Sequence, residues 1–397
     1  MSRTLRFYAT FVLVVALAGC TWDESRPPDA SLDAVDGLGD NEDPGGDPGP
    51  PPVHQGFDVV DPHGAVRISY LDDATGGFDF DGRYVVYSSW ELYLYLVDLE
   101  TQREVRLYPV SPVQNGSRGA RTWPRVANGI VACAGHDGIV PPRILYLYYI
   151  EEERWYIPNL PDAKPSYFDF DSSRIVFNDE RHWNEDGGKN IEVYLYDIED
   201  GVELRLTDQY RQQFVPEIEG QYIVWEDYSK GQFKEEVVLY NLETGQSRNL
   251  TNDDTRQFGL SIHDDLVAWT DLRHGQVNPN GTYTNADIYL YRISTGETRR
   301  ITDEEHDQEF PCVHGRWVAW SDLRHGSRNE SFQPSGVRVY VHDLVTGQQK
   351  AVTFGEEMIE GTPKIWGNTL VYRSCCIDDG GALWMVDLGR YFDLEAD

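Results

Sequence analysis

The sequence predicts an all-β fold in which one unit of four short strands recurs along most of the chain. Alternating aromatic and β-branched runs, such as IYLYRI at residues 288–293, are separated by turns rich in Gly, Asn and Asp. Leu does not recur at helical spacing, and 13% of the residues are aromatic. One pattern returns roughly every 44 to 52 residues, a period typical of sheets repeated around a ring.

Residues 214–251 show the repeat most clearly, with four predicted strands in succession: FVPEI, YIVWED, EVVLYNL and QSRNLT. The turns Glu219-Gly220 and Glu243-Thr244-Gly245 separate the first strand from the second and the third from the fourth. Alternation along each strand gives a sheet two faces to cover, and packing sheet against sheet covers both. Aligning the units on the centre of the second strand predicts seven equivalent positions: Tyr87, Ala132, Phe177, Trp225, Trp269, Trp320 and Tyr372.

The two ends of the repeat region predict how the ring closes. The seventh unit supplies TPKI, TLVYRS and ALWMVDL but no convincing fourth strand, whereas GAVRISYL at residues 64–71 has no unit of its own. Pairing this N-terminal strand with the last unit leaves no exposed sheet edge. The prediction is therefore a seven-bladed β-propeller of four-stranded antiparallel blades, closed by an N-terminal strand. The alternatives are YFDL as the missing strand, or a ring of six or eight blades.

The first 19 residues predict a secretory signal, because Arg3 and Arg6 precede an apolar run too short to span a bilayer. The run ends in LAGC, which resembles a bacterial lipobox. This resemblance implies lipidation of Cys20, and Thr21 in place of Asp favours the outer membrane over the inner one. Ordinary secretion with an incidental Cys is the alternative. Whether the protein faces the periplasm or the cell surface stays open.

Residues 20–56 predict a disordered, acidic Pro/Gly tether, and residues 57–397 predict the propeller. The formal net charge of −33 argues against a nucleic-acid partner, which needs clustered Lys and Arg. The membrane is reached only through the N-terminal lipid, and the domain is expected to be monomeric. Export permits disulfides, whose connectivity stays open among four residues: Cys133, Cys312, Cys375 and Cys376.

The repeat, written IVW-D-R-G…DIYLYDL-TG…LT, resembles the TolB-like propeller proteins and the WD40-like repeats of archaeal and bacterial surface proteins. The resemblance covers about residues 63–390 and implies the propeller architecture. The chain departs from TolB itself, because a lipobox and a tether stand where TolB has an N-terminal α/β domain. A role in the Tol system is therefore not implied.

Antiparallel blades place the connections after the second and fourth strands on one face, which we call the rim. Long loops here carry the repeated Asp-x-Arg-His pattern, and we expect this face to bind a ligand. The predicted binding residues are Arg181, His182, Trp183, Arg273, His274, Tyr283, Arg324 and His325. A group repeated in several blades is more typical of a structural brace than of a unique active site, and the predicted braces are Asp179, Asp227, Asp271 and Asp322.

The sequence predicts a non-enzymatic scaffold of the cell envelope that binds a protein or a polysaccharide. No GxSxG, HExxH or Walker motif occurs, so no catalytic residue, metal ligand or cofactor is predicted. The alternative is a metal-assisted polysaccharide lyase or hydrolase on the same fold. It would use a transition metal at the rim histidines, or Ca²⁺ at acidic runs such as residues 252–254.

Overall fold

The computed structural model describes residues 56–57, 60, 64–69, 77–89, 94–107, 123–136, 143–160, 162–182, 190–208, 212–231, 233–278, 282–328, 334–353, 359–360, 363–376 and 380–393. These residues form a seven-bladed β-propeller, which confirms the fold predicted from the repeat. Each blade is an antiparallel sheet, and in blades 1 to 6 the four strands lie in chain order from the central axis outward.

The first four blades follow the repeat directly. Blade 1 contains Phe78–Phe80, Tyr84–Ser88, Leu94–Asp98 and Arg103–Leu107. Blade 2 contains Arg125–Ala127, Ile130–His136, Arg143–Tyr149 and Arg154–Tyr156. Blade 3 contains Pro165–Phe170, Arg174–Asp179, Glu192–Asp197 and Val202–Arg205. Blade 4 contains Gln213–Glu219, Tyr222–Asp227, Glu236–Asn241 and Gln246–Asn249.

Blades 5 and 6 each carry an extra hairpin between their second and third strands. Blade 5 contains Gln257–His263, Leu266–Asp271, Asp287–Arg292 and Glu297–Arg300, with the hairpin Gln276–Val277 and Tyr283–Thr284. Blade 6 contains Gln308–His314, Trp317–Asp322, Arg338–Asp343 and Gln349–Ala351, with the hairpin Ser327–Arg328 and Pro334–Ser335. Both hairpins project from the rim directly after the Asp-x-Arg-His pattern.

Blade 7 joins the two ends of the repeat region, as predicted. Its inner strands are Lys364–Trp366, Thr369–Cys376 and Gly380–Asp387, and Ile359–Glu360 also pairs with the second of them. The N-terminal strand Val66–Arg67 pairs antiparallel with Met385 and Trp384 and so becomes the outermost strand. The Ser69 hydroxyl extends this contact by accepting the Leu383 amide at 2.9 Å. The short helix Leu388–Tyr391 follows, and Tyr391 to Asp393, the described part of the alternative closing strand YFDL, form its last residue and a turn.

The hydrophobic core is divided among the spaces between neighbouring blades. The second and third strands are buried on both faces, so their sequences are nearly continuous in aromatic and β-branched residues. The Trp317 ring, for example, packs with Ile365 and Leu370 of the next blade and donates to the Asn368 side chain at 3.0 Å. Inter-blade packing of this kind is what holds the ring together.

Cys133 and Cys312 are buried and free, so neither forms a disulfide. Burial raises the pKa of the Cys133 thiol to about 12. The side chains of Cys375 and Cys376 lie outside the described residues, as do Cys20, the predicted signal and most of the predicted tether. No described helix combines the length and apolarity needed to cross a membrane.

Candidate functional site at the rim

The Asp-x-Arg-His pattern of blade 5 folds into a compact module at the end of the second strand. The buried Asp271 carboxylate accepts the backbone N–H of Arg273 at 2.9 Å and the Trp269 indole N–H at 2.8 Å. The Arg273 guanidinium returns to the same carboxylate, with Nη2 2.6 Å from Oδ2. Although burial lowers the pKa of Arg273, its hydrogen bonds to Asp271 raise it above the usual value overall.

An aromatic column supports this module. The Arg273 guanidinium lies 4.2 Å from the centre of the Tyr289 ring, and that ring stacks on Trp269 at 6.1 Å. His274 Nε2 lies 2.9 Å from the Tyr289 hydroxyl. Asp, Arg, His, Tyr and Trp are therefore engaged with one another inside a single blade.

Blade 6 repeats the module at each of these positions. Asp322 accepts the Trp320 indole at 2.9 Å and pairs with Arg324 at 2.8 Å. The Arg324 guanidinium lies 4.2 Å from the Tyr340 ring centre, and His325 Nε2 lies 2.8 Å from the Tyr340 hydroxyl. The repetition of the whole contact set is the structural basis of the repeated sequence.

Blade 3 keeps the module with small changes. Asp179 pairs with Arg181 at 2.9 Å, and the guanidinium lies 4.3 Å from the Tyr194 ring centre. His182 turns its Nδ1 toward the buried Glu192 carboxylate at 2.8 Å, and that atom lies 3.3 Å from the Tyr194 hydroxyl. Phe177 takes the place of the strand-two Trp, so the carboxylate has no indole to accept.

Blade 4 lacks part of the Asp-x-Arg-His pattern, and it lacks the corresponding contacts. Asp227 still accepts a turn amide, that of Ser229, at 2.7 Å. Ser229 replaces the Arg, and Val238 stands where blades 3, 5 and 6 have Tyr. The Arg and the Tyr disappear together, as expected if each supports the other.

The Arg side chains also contact loops beyond their own Asp. Arg273 Nη2 lies 3.8 Å from Asp253, and Arg324 Nη1 lies 3.2 Å from Glu304, both in the loop that enters the blade. Arg181 instead pairs with Glu203 of its own blade at 2.7 Å. The main partner of each Arg is thus the Asp of its own module.

Tyr283 is not the accessible rim aromatic predicted from the sequence. Its side chain is only 5% exposed, because it packs under the blade 5 hairpin against Phe258, at 5.5 Å between ring centres. Trp183, the other predicted aromatic, lies outside the described residues.

Two glycines that the sequence reading passed over allow the rim hairpins to close. A Cβ on Gly275 would lie 2.2 Å from the Thr284 carbonyl oxygen, and one on Gly326 would lie 1.8 Å from that of Ser335. Each is the residue after the Asp-Leu-Arg-His sequence. The missed signal was therefore the Gly in Asp-Leu-Arg-His-Gly.

A groove of about 390 Å³ opens at the rim between blades 4 and 5. The loop after the second strand of blade 4 forms one wall, and the hairpin of blade 5 forms the other. Lys234 Nζ lies 3.5 Å from Asp254 Oδ1 at its edge. We call this surface the rim groove, and its lining residues are Phe233, Lys234, Asp254, Thr255, Leu272, Gly275, Val277 and Asn278.

A ring of polar side chains also lines the central channel, at one equivalent position of each first strand. Arg125 Nε lies 2.9 Å from Asp169 Oδ1, and Lys364 Nζ lies 3.3 Å from Asp79 Oδ1. Burial, reinforced by the neighbouring Asp169, raises the pKa of Glu217 to about 8. The full ring is Asp79, Arg125, Asp169, Glu217, Ser261, Cys312 and Lys364.

The channel ring links each blade to the next. Asp79 accepts the Val126 amide at 3.0 Å, and Asp169 accepts the Ile218 amide at 2.9 Å. The Ser261 hydroxyl does the same for an amide of blade 6, at 3.1 Å. The channel charges are therefore used in assembling the ring, a role that the sequence reading did not identify.

Comparison with known proteins gives a fold and no family: no family model matches the chain, and no curated protein does. Among solved structures, it is similar to a prolyl endopeptidase at 10% identity and a TM-score of 0.59, and the match covers 81% of this chain and 50% of that one. It is similar to an oligogalacturonate lyase from Vibrio parahaemolyticus at 12% identity and a TM-score of 0.57, and the match covers 84% of this chain and 97% of that one. It is also similar to the tricorn protease, at 11% identity and a TM-score of 0.50, and this match covers 79% of this chain and 34% of that one.

The chain thus spans about half the length of the prolyl endopeptidase and a third of that of the tricorn protease. TolB from Acinetobacter baumannii is also similar, at 15% identity, but its TM-score of 0.40 is too low to argue from. Identities this low carry no site or activity between proteins. What the comparisons establish for this chain is the β-propeller fold.

Proposed function

We propose that the protein is a lipid-anchored scaffold of the bacterial cell envelope, which binds a protein or a polysaccharide at its rim without catalysing a reaction. The observation that carries this proposal is the state of the Asp-x-Arg-His residues. In three blades they pair within their own module instead of converging on one cleft. Side chains engaged in this way stabilise the rim loops, and the exposed surfaces of those loops are what we propose binds a partner.

The rim groove is the surface that we propose for contact. It combines apolar wall residues, Phe233 and Val277, with a cation and an anion, Lys234 and Asp254. Mixed apolar and charged walls suit a protein side chain or a sugar ring with its hydroxyls. The module of blade 5 holds the wall on that side in place before a ligand arrives, and on the blade 4 side Asp227 accepts the Ser229 amide in the loop that forms the other wall.

Envelope attachment rests on the sequence alone, because the LAGC sequence lies outside the described residues. Cys20 is the proposed lipidation site, and the outer membrane is the proposed location. Mass spectrometry of the protein from envelope fractions tests both proposals. A mature N-terminus at Cys20 carrying acyl chains is expected, and an unmodified N-terminus elsewhere would contradict the anchor.

The metal-assisted enzyme is the alternative function. In the sequence it depended on three rim histidines, and each of these now has a partner in its own blade: His182 on Glu192, His274 on Tyr289 and His325 on Tyr340. Similarity to a lyase at 12% identity adds the fold only. Among the rim residues that the structure describes, no contact favours this alternative.

The binding proposal is tested with a matched pair of substitutions. Val277→Arg places a charged side chain in the rim groove. Val345→Arg is the control: it introduces the same charge on the opposite face, at a residue that is 71% exposed. The purified protein and both variants are compared for binding to envelope extract, with and without protease treatment of the extract. Loss of binding in Val277→Arg alone is expected.

Protease treatment separates a protein partner from a polysaccharide partner. Equal binding by the parent protein and both variants would show that the rim groove is not the contact surface. Turnover of a polyuronate, seen as the ultraviolet absorbance of an unsaturated product, would replace the scaffold with the enzyme.

A further inference from the structure

The face opposite the rim carries a second set of ring positions around the mouth of the channel. These positions lie two residues after the channel ring, at the end of each first strand. Four adjacent blades place chemically distinctive side chains there, in ring order: Glu219, His263, His314 and Trp366. None of them belongs to the rim or takes part in the proposed function.

His263 lies between two carboxylates at this mouth. Its Nδ1 is 3.6 Å from Glu219 Oε1, and its Nε2 is 3.4 Å from Asp264 Oδ2. One donor atom from each of the three residues lies within 4.8 Å of the other two. Donors about 2 Å from a shared metal ion are separated by about 3 to 4 Å, so small rotations of these side chains suffice to bring them together.

The charge at this mouth favours a cation. Within the described chain, neither Glu219 nor Asp264 is paired with a Lys or Arg; their ion-pair partner is His263. The Arg174 guanidinium, which donates to the Gly220 carbonyl beside Glu219 at 2.6 Å, is held by the Asp171 carboxylate, also at 2.6 Å. Two carboxylates beside one imidazole form a donor set that can replace part of the hydration shell of a divalent ion.

A stack of rings fixes the orientation of His263. The His314 ring lies 3.8 Å away and nearly parallel, and the Trp366 ring packs beside both, with its centre 4.9 Å from that of His314 and 6.5 Å from that of His263. His314 Nδ1 accepts the Gly367 amide at 3.1 Å. In the neutral ring its Nε2 then carries the proton, so His314 positions the neighbouring ring and is not itself a ligand.

Asp264 stands at a backbone position that most blades give to Gly. Its φ is 49°, and the equivalent residues include Gly220, Gly315 and Gly367, all with positive φ. A carboxylate is therefore present where Gly would be the unstrained residue, directly beside His263.

From this geometry we propose that Glu219, His263 and Asp264 form a binding site for a divalent transition metal of the Zn²⁺ class at the channel mouth. One nitrogen and two oxygens leave at least one coordination position for water or for a ligand that enters the mouth. The site lies on the opposite face from the rim groove, so either proposal can fail without the other.

Isothermal titration of the metal-stripped protein with Zn²⁺ tests the site. One Zn²⁺ per chain is expected, with much weaker binding of Ca²⁺, because an imidazole donor suits Zn²⁺ and not Ca²⁺. His263→Phe keeps a ring against His314 but removes the nitrogens, and Glu219→Gln removes a carboxylate. Each is expected to weaken Zn²⁺ binding by at least about tenfold. Co²⁺ in place of Zn²⁺ gives a visible absorption spectrum that reports directly on coordination.

Asp264→Gly distinguishes loss of a ligand from loss of folding. It removes a carboxylate, but it should not destabilise the protein, because Gly adopts the positive φ of this position without strain. It is expected to lose Zn²⁺ affinity with an unchanged or higher thermal midpoint. Ser172→Gly, the same change at the equivalent turn of blade 3, where φ is 77°, is the matched control and keeps full binding. Absence of saturable Zn²⁺ binding, or binding of equal strength in all variants, would overturn the proposal.

Discussion

Replacing Asp271 with Asn tests whether the repeated carboxylate braces the blade. The side chain is buried and accepts four hydrogen bonds: from the Arg273 backbone N–H, Nε and Nη2, and from the Trp269 indole. An Asn has the same shape but only one acceptor oxygen, so its NH₂ must face two of these donors. The substitution therefore removes hydrogen bonds without leaving a cavity.

The expected loss follows from the two donors that lose their acceptor. A hydrogen bond to a charged donor contributes about 1.5–3 kcal/mol, and a buried donor left without a partner costs about 1–3 kcal/mol. The Arg273 side chain is 30% exposed and turns partly to water, which lowers the total. We expect Asp271→Asn to reduce the free energy of unfolding by about 3 kcal/mol.

Urea unfolding followed by Trp fluorescence measures this loss. With a slope of about 3 kcal/mol per M, the midpoint falls by about 1 M. Asp200→Asn, at an exposed turn residue of blade 3, is the control and should stay within about 0.5 kcal/mol of the parent. A midpoint that moves by less than about 0.3 M, or one that rises as when a strained functional residue is removed, would refute the brace.

Three further predictions concern the hairpin, a buried thiol and the channel. Gly275→Ala should destabilise the protein by about 1–3 kcal/mol in the same urea assay, because its Cβ would meet the Thr284 carbonyl at 2.2 Å. Cys133 should resist alkylation at pH 8 and react after unfolding, as read by peptide mass spectrometry, because burial raises its pKa to about 12. Glu217 binds its proton more tightly in the folded state, with a pKa of about 8, so its contribution to stability falls between about pH 4.5 and 8. Urea midpoints across that range should decline less steeply for Glu217→Gln than for the parent, and equal slopes would contradict this role.

The architecture could be predicted from the sequence because it is repeated. Each blade restates the same alternation of buried and exposed positions, so a weak signal in blade 2 is supported by strong ones in blades 5 and 6. Closure was predictable for the same reason: three strands at one end and one at the other complete the pattern. The register of the Val66–Arg67 pairing confirms it.

The contacts of the channel and its mouth were harder to predict, because their side chains meet across blades and not along the chain. Glu219 and His263 lie 44 positions apart, as do Arg125 and Asp169, and only the ring geometry brings them together. Tyr283 was misread for a local reason. A Tyr in a polar loop looks exposed, but the return strand of the hairpin carries it back over Phe258.

The pairing of residues 66–67 with residues 384–385 also constrains the order of events during folding. Residues more than 300 positions apart must meet, so the N-terminal strand stays unpaired until nearly the whole chain has been synthesised. Earlier blades can collapse against one another in sequence, but the final sheet is completed last. A chain that stalls or is truncated near its C-terminus would therefore leave both the N-terminal strand and the incomplete last sheet with unpaired edges. Unpaired strand edges promote aggregation, so late synthesis is the stage most prone to it.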